Sequence, residues 1–149
     1  ISGAVIEIFK ELAELLVDDA EGATKKIRVK VVKAKNVEQA KSVAFTIAES
    51  SLVKTAMFGS DANWGRILSA IGRDPTVKEI NNIEIKLNGQ PLVKKGYIDP
   101  SYSEKLASKE MKKKEIIIDV KLGSGKEGFE VITSDLSEDY VLINSDYRS

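Results

Sequence analysis

Several side chains that could bind a small molecule lie between residues 50 and 67. Lys54, Asp61, Asn63 and Arg66 offer an ammonium, a carboxylate, an amide and a guanidinium. We interpret residues 52–58 as an apolar strand that ends in a Gly/Asp/Asn loop, and loops at strand ends often carry binding residues. Two oxygen ligands without a third cluster do not make a metal site, so no metal is predicted.

The same loop has a purely structural interpretation. It is followed by Trp64, the only tryptophan of the chain. A large ring that buries itself can organise a loop without any ligand. The residues alone leave both interpretations open.

The composition excludes whole classes of site. The 149 residues include no Cys and no His, which removes disulfides, thiolate nucleophiles, Cys/His zinc sites and every His-dependent triad. Lys+Arg and Asp+Glu number 23 each, so no overall field attracts the chain to nucleic acid or to an anionic membrane. No apolar run approaches the ~20 residues that span a bilayer, and no signal peptide is recognised. We expect a protein that acts in the cytoplasm.

The first half of the chain shows alternating strand and helix patterns. Apolar residues recur at helical spacing near the start, and alternation then indicates a strand. The predicted elements are a helix at 2–17, a strand at 26–34, a helix at 37–49 capped by Asn36 with Gln39 in a capping box, a strand at 52–58 and a helix from Asp61 or Asn63 to Ile71. This gives a β-α-β-α order after the first helix.

The second half is richer in strands. Asn88-Gly89 is a strong hairpin signal because both turn positions need positive φ. The predicted elements are a strand ending at Leu87, a return strand at 91–95, a helix from Asp99-Pro100 to Lys112, strands at 116–122 and 129–133 joined by a Gly-rich turn, and a strand at 140–143. We therefore predict one domain over residues 1–149 with an α/β (α+β) fold, in which a mixed sheet packs against helices.

The Gly-rich turn matches a dinucleotide-binding fingerprint only superficially. Residues 123–128 read GSGKEG, which fits GxGxxG after a strand. The fingerprint requires the third glycine to open a helix, whereas Phe129 to Ile132 has the pattern of a strand. We favour a hairpin turn.

Three stretches together resemble one known family. They are Asp19 to Lys25 (DAEGATK), Leu52 to Ile67 (LVKTAMFGSDANWGRI) and Asp139 to Ser149 (DYVLINSDYRS). All three are similar to motifs of the ornithine/glutamate N-acetyltransferases of arginine biosynthesis, and they occur in the family's order. The resemblance covers nearly the whole chain.

The resemblance implies a fold and a reaction. Family members have the fold of self-cleaving N-terminal-threonine acyltransferases (DmpA/ornithine acetyltransferase-like), and their precursor cuts itself into an α and a β chain. The new N-terminal threonine takes acetyl from N-acetylornithine and passes it to glutamate. No cofactor is required, although some members accept acetyl-CoA as the donor. The chain resembles the C-terminal portion of the β chain, with the α chain and the preceding β segment as partners in an α2β2 heterotetramer.

The resemblance also assigns substrate-binding residues. Glu21 would pair with the ammonium of an amino acid, and Asn144 and Ser149 would hydrogen-bond the substrate; Ser149 stands where many members have Thr. No catalytic residue is assigned, because nothing near Ile1 resembles the segment that carries the nucleophilic threonine. Without the resemblance, Glu21 would be interpreted as a surface loop acid.

Two other functions remain open. One is a non-catalytic amino-acid-binding or assembly domain, since these residues contain no nucleophile-base pair. The other is a related self-cleaving aminopeptidase. Binding of ornithine and glutamate to the isolated chain would favour the first, and peptide hydrolysis would favour the second.

Overall fold

The computed structural model describes residues 25–135 and 140–144. In chain order the elements are β1 (Lys26–Ala34), α1 (Val37–Glu49), α2 (Ser51–Phe58), α3 (Trp64–Gly72), β2 (Glu84–Leu87), β3 (Gln90–Lys94), β4 (Tyr97–Ile98), α4 (Glu104–Met111), β5 (Glu115–Lys121), β6 (Glu127–Ser134) and β7 (Tyr140–Asn144). The helix predicted at residues 2–17 lies outside the described residues. No helix in the described part is long and apolar enough to cross a bilayer.

The seven strands form one mixed sheet. Their order is β4-β3-β2-β5-β1-β6-β7, and the only parallel pair among the described strands is β1 with β5. Ile27, Val29 and Val31 point from β1 into the core. Helix α1 packs on this face, where its Phe45 lies 5.8 Å from the ring of Phe129 on β6. The predicted mixed α/β sheet covered by helices is confirmed.

Local signals identified several elements correctly. The Asn36 side chain caps α1 by accepting from the Gln39 amide at 2.8 Å, and Gln39 Oε1 accepts in turn from the Lys35 amide at 3.0 Å. Asn88 and Gly89 have φ of 49° and 83°, as the predicted two-residue hairpin between β2 and β3 requires. Each of these elements is specified by residues next to it in the chain.

The strand predicted at 52–58 is wrong, because this segment is helix α2. Ser50 caps it by accepting from the Val53 amide at 3.2 Å. Val53, Ala56 and Met57 then fall at i, i+3 and i+4, and all three are buried. Burial of that face outweighs the β propensity of the apolar residues. The order after β1 is therefore three helices, not β-α-β-α.

The helix predicted to begin at Asp99-Pro100 begins later. Asp99 accepts from the Ser101 amide at 2.7 Å and forms a turn instead of a helix cap. The cap of α4 is Ser103, whose hydroxyl accepts from the Leu106 amide at 3.2 Å. The predicted start was wrong because two capping residues stand four positions apart, and Asp99 is used in the turn.

The hairpin predicted around residues 123–128 is also wrong. β5 and β6 do not pair, because β1 lies between them, parallel to β5 and antiparallel to β6. The GSGKEG segment therefore crosses the end of β1. A strand does follow it, so the rejection of the dinucleotide fingerprint is confirmed.

A buried carboxylate joins α1 to the segment after α3. Asp74 is 2% exposed and accepts hydrogen bonds from Ser42 Oγ at 2.7 Å, Thr46 Oγ1 at 3.0 Å, Thr76 N at 2.8 Å and Thr76 Oγ1 at 2.6 Å. Burial by itself raises the pKa of Asp74, but the hydrogen bonds from Thr76, Ser42 and Thr46 together outweigh it and lower the pKa below its ordinary value. The ionised carboxylate is thus part of the folded structure.

We expect Asp74→Asn to lower the free energy of unfolding by about 1.5–3 kcal/mol at neutral pH, since several charge-assisted hydrogen bonds are weakened. A carboxyl with a lowered folded-state pKa stabilises the fold above its unfolded pKa of about 3.9, and this stabilisation is lost as pH falls through the folded value. Urea unfolding across pH 2–7 measures both effects. The difference between wild type and variant should shrink below about pH 4; a pH-independent difference would contradict a role for the charge.

Candidate functional site

Three distant segments meet at Lys25, immediately before β1. The Lys25 amide donates to Asp135 Oδ1 at 3.0 Å, which links it to the end of β6. Its ammonium donates to Met57 O at the end of α2 and to Ser60 Oγ at 2.8 Å. The residue is only 8% exposed. A lysine at this position therefore joins the start of β1 to the loop after α2.

Burial also sets the electrostatics of this lysine. Desolvation lowers the pKa of Lys25, and the nearby carboxylate of Asp135 opposes that shift. Asp135 is itself 3% exposed. The lysine and its acceptors form a polar cluster at the end of the sheet where the DAEGATK stretch enters β1.

We expect Lys25→Met to lower the free energy of unfolding by about 1–3 kcal/mol, because buried acceptors lose a charged donor. Lys25→Arg keeps the charge, and we expect it to retain more stability than the Met variant. Thermal and urea unfolding provide the measurement. Equal stability of wild type and Lys25→Met would show that the cluster does not hold these segments together.

The loop after α2 uses two of its four predicted binding residues structurally. Asn63 Oδ1 accepts from the Arg66 amide at 3.1 Å and caps α3, while its Nδ2 donates to Asp61 Oδ2 at 3.2 Å. The Arg66 guanidinium donates to Leu52 O at 3.0 Å and Thr55 Oγ1 at 3.3 Å on α2. Arg66 and Asn63 thus fold the loop between α2 and α3.

The other two candidates are placed differently. Asp61 is exposed in the loop. Its charge acts on Tyr102, which lies just before α4. Burial raises the pKa of the Tyr102 hydroxyl, and the carboxylates of Glu104 and Asp61 raise it further. Lys54 is half-buried on α2. Asp61 is therefore the most exposed of the four candidate binding residues.

Trp64 supports the structural interpretation of the loop. It begins α3, is partly buried against the core, and lies edge-on to Tyr97 with ring centroids 6.4 Å apart. Of the two interpretations left open by the sequence, Trp64 thus fits the packing one. This role does not exclude a ligand at the neighbouring Asp61.

The residues assigned by resemblance are only partly within the described structure. Glu21 and Ser149 lie outside the described residues. Asn144 is the last residue of β7 and pairs with Glu130 on β6, which pairs in turn with Lys30 on β1. At about 3.3 Å per residue, Asn144 is thus roughly 13 Å along the sheet from the level of Lys26. That Glu21, Asn144 and Ser149 meet at one site stays a prediction.

The sequence patterns did not identify the Lys25–Asp135 cluster. The two residues are 110 positions apart, so no local pattern connects them. The one signal was a lysine directly before a buried strand, where its ammonium needs an acceptor. Among the described residues, no group of three or more His, Cys, Asp or Glu side chains is arranged to hold a metal ion.

Comparisons with known proteins find relatives over most or all of the chain. The model of the ArgJ family matches residues 1–149. The arginine biosynthesis bifunctional protein ArgJ of Methylococcus capsulatus is 46% identical over 147 residues, which are 98% of this chain and 36% of the relative. That of Nitratidesulfovibrio vulgaris is 41% identical over 146 residues, 98% of this chain and 37% of the relative.

A solved structure agrees with these matches. The crystal structure of arginine biosynthesis bifunctional protein ArgJ from Bacillus halodurans superimposes with a TM-score of 0.77 and 36% identity, over 85% of this chain and 60% of that chain. The predicted fold class is thereby confirmed. The chain spans little more than a third of the length of the curated relatives it matches. The family match extends from the first residue to the last, and the chain belongs to the ArgJ family.

Proposed function

We propose that the chain is the C-terminal part of the β chain of a glutamate N-acetyltransferase, which transfers acetyl from N-acetylornithine to glutamate in arginine biosynthesis. The observation that carries this proposal is the family match over all 149 residues, with relatives named arginine biosynthesis bifunctional protein at 41–46% identity. The acyl group would be held on a threonine of polypeptide outside these residues. The α chain and the preceding β segment would complete the site in an α2β2 assembly in the cytoplasm.

The proposed substrate contacts follow from charge and hydrogen-bonding capacity. Glu21 would pair with the ammonium of the substrate and hold the amine near the acetyl group. Asn144 and Ser149 would hydrogen-bond the substrate's polar groups. No cofactor is needed for acyl transfer between two amino acids, and acetyl-CoA would be an alternative donor only.

The Lys25 cluster fixes the first described residue after Glu21 in the chain. Lys25 is four residues after Glu21, and its backbone and ammonium are fixed to Asp135, Met57 and Ser60. A fixed point four positions along the chain would reduce the conformational entropy that Glu21 loses when its carboxylate binds a cation. Holding the reacting groups in place is one of the main ways in which an enzyme accelerates acyl transfer.

The test is an acetyl-transfer assay on the complete protein that contains this chain. With N-acetylornithine and glutamate as substrates, we expect N-acetylglutamate and ornithine to appear in equal amounts, with ping-pong kinetics. Hydrolysis of a peptide series in the same sample tests the aminopeptidase alternative. Peptide hydrolysis without acetyl transfer would overturn the proposal, as would binding of ornithine without either reaction.

A further inference from the structure

Two adjoining cavities lie at the opposite end of β1 from Lys25. Their volumes are about 250 Å³ and 330 Å³, and both are lined by Asn82, Gly123 and Ser124. They sit beside the GSGKEG segment where it crosses from β5 to β6. At about 3.3 Å per residue, the nine residues of β1 separate them from Lys25 by nearly 30 Å. They are therefore far from the Lys25 cluster.

Lysines dominate the walls of this double cavity. Lys33, Lys35 and Lys78 line the first part, and Lys94, Lys95 and Lys121 line the second. The carboxylates in the walls are Glu79 and Glu84. Six cations thus face two anions, in a chain whose total charge is zero.

Most of these cations have no carboxylate partner within the described residues. Lys121 pairs with Glu84 at 3.3 Å. The other five lysines form no ion pair within 4.0 Å in residues 25–135 and 140–144. Like charges that line one cavity repel one another, and a bound anion would remove that repulsion.

The backbone holds two of these lysines in an unfavourable conformation. Lys33 and Lys95 have φ of 60° and 53°, a region in which glycine or asparagine is favoured. Lys95 occupies a two-residue turn with Gly96, where those smaller residues are usual. Both residues nevertheless line the double cavity as lysines.

The glycine segment forms a fixed wall. Gly125 N donates to Lys33 O at 3.2 Å and Leu122 N donates to Val32 O at 3.0 Å. A Cβ on Gly125 would overlap Ala34 O, so this close approach requires glycine. The segment leaves the carboxyl end of β5, beside the carboxyl end of its parallel neighbour β1. Ligands of open α/β sheets commonly bind at such strand ends.

We propose that this double cavity binds a small anion with two or more phosphoryl groups. Three lysines in each part can neutralise a phosphoryl group as point charges. The Ser124 hydroxyl and the Asn82 amide add neutral hydrogen-bond donors where the two parts meet. Volumes of about 250 Å³ and 330 Å³ suit a small ligand, whereas an extended acidic peptide would need a longer groove.

The experiment is isothermal titration of the complete protein that contains this chain with inorganic pyrophosphate, orthophosphate and acetate at constant ionic strength. We expect saturable binding of pyrophosphate, weaker binding of orthophosphate, and none of acetate. The variant Lys35→Gln/Lys94→Gln removes one exposed cation from each part and should weaken pyrophosphate binding by about tenfold or more. Lys105→Gln/Lys109→Gln removes two exposed lysines of α4 and should bind as wild type does.

Two outcomes would overturn the proposal. One is the absence of saturable pyrophosphate binding to the wild-type protein. The other is an equal loss of affinity in the two double variants, which would mean that general charge and not the cavity attracts the anion. Both double variants change surface residues and the same net charge, and circular dichroism checks that both are folded. Neither result depends on acetyl transfer.

Discussion

Replacing Arg28 with methionine should be among the most destabilising changes in this chain. Arg28 and Glu130 form an ion pair between β1 and β6, and their side chains are 10% and 1% exposed. Arg28 also lies 3.8 Å from Glu115 on β5. The variant leaves the Glu130 carboxylate buried without this partner, which should cost about 3–5 kcal/mol in the free energy of unfolding.

The stability lost in Arg28→Met comes from leaving the Glu130 charge buried, and not from the attraction between the two charges. Removing both charges in Arg28→Met/Glu130→Met should return stability to within about 1 kcal/mol of wild type, since neither member of the pair is then buried without the other. Lys121→Met is the matched control, because its pair with Glu84 is largely exposed and should matter by less than about 1 kcal/mol. Urea unfolding of the four proteins decides the matter. A double variant less stable than Arg28→Met would contradict the explanation.

Adding one methyl group at Gly125 should be nearly as damaging. A Cβ there would overlap the carbonyl oxygen of Ala34 and lie 2.8 Å from the amide nitrogen of Lys35, and backbone atoms cannot move aside cheaply. We expect Gly125→Ala to lower the free energy of unfolding by about 3 kcal/mol, since the crossing over β1 must shift.

A second glycine of the same segment provides the control. At Gly123 the nearest atom to an added Cβ is Lys33 O at 3.8 Å, an ordinary contact. Gly123→Ala should therefore change stability by less than about 0.5 kcal/mol. Thermal unfolding of both variants measures the difference in stability. Equal tolerance of alanine at the two positions would show that the segment does not pack closely against the end of β1.

Elements with a local signal were predictable from the sequence. The Asn36 cap specifies the start of α1, and Asn88-Gly89 specifies the turn between β2 and β3. The resemblance to the acetyltransferase family rests on linear motifs, and so it too is visible in the order of the residues alone. Such features depend on residues close together in the chain.

Features that depend on distant contacts were not predictable. Residues 52–58 form a short apolar segment whose pattern fits a strand or a helix, and packing against the core decides for the helix. The insertion of β1 between β5 and β6 requires pairing across about a hundred residues, which no local pattern contains. The same separation concealed the contact of Lys25 with Asp135.

The most direct test of the proposed function measures acetyl transfer by the complete protein with substitutions at the proposed substrate contacts. We predict that Glu21→Ala and Asn144→Ala each lower kcat/KM for glutamate about 100-fold, since both positions would orient the substrate. Glu49→Ala, which removes an exposed carboxylate at the end of α1, should leave the rate unchanged. Wild-type rates in both Glu21→Ala and Asn144→Ala would contradict the proposed site.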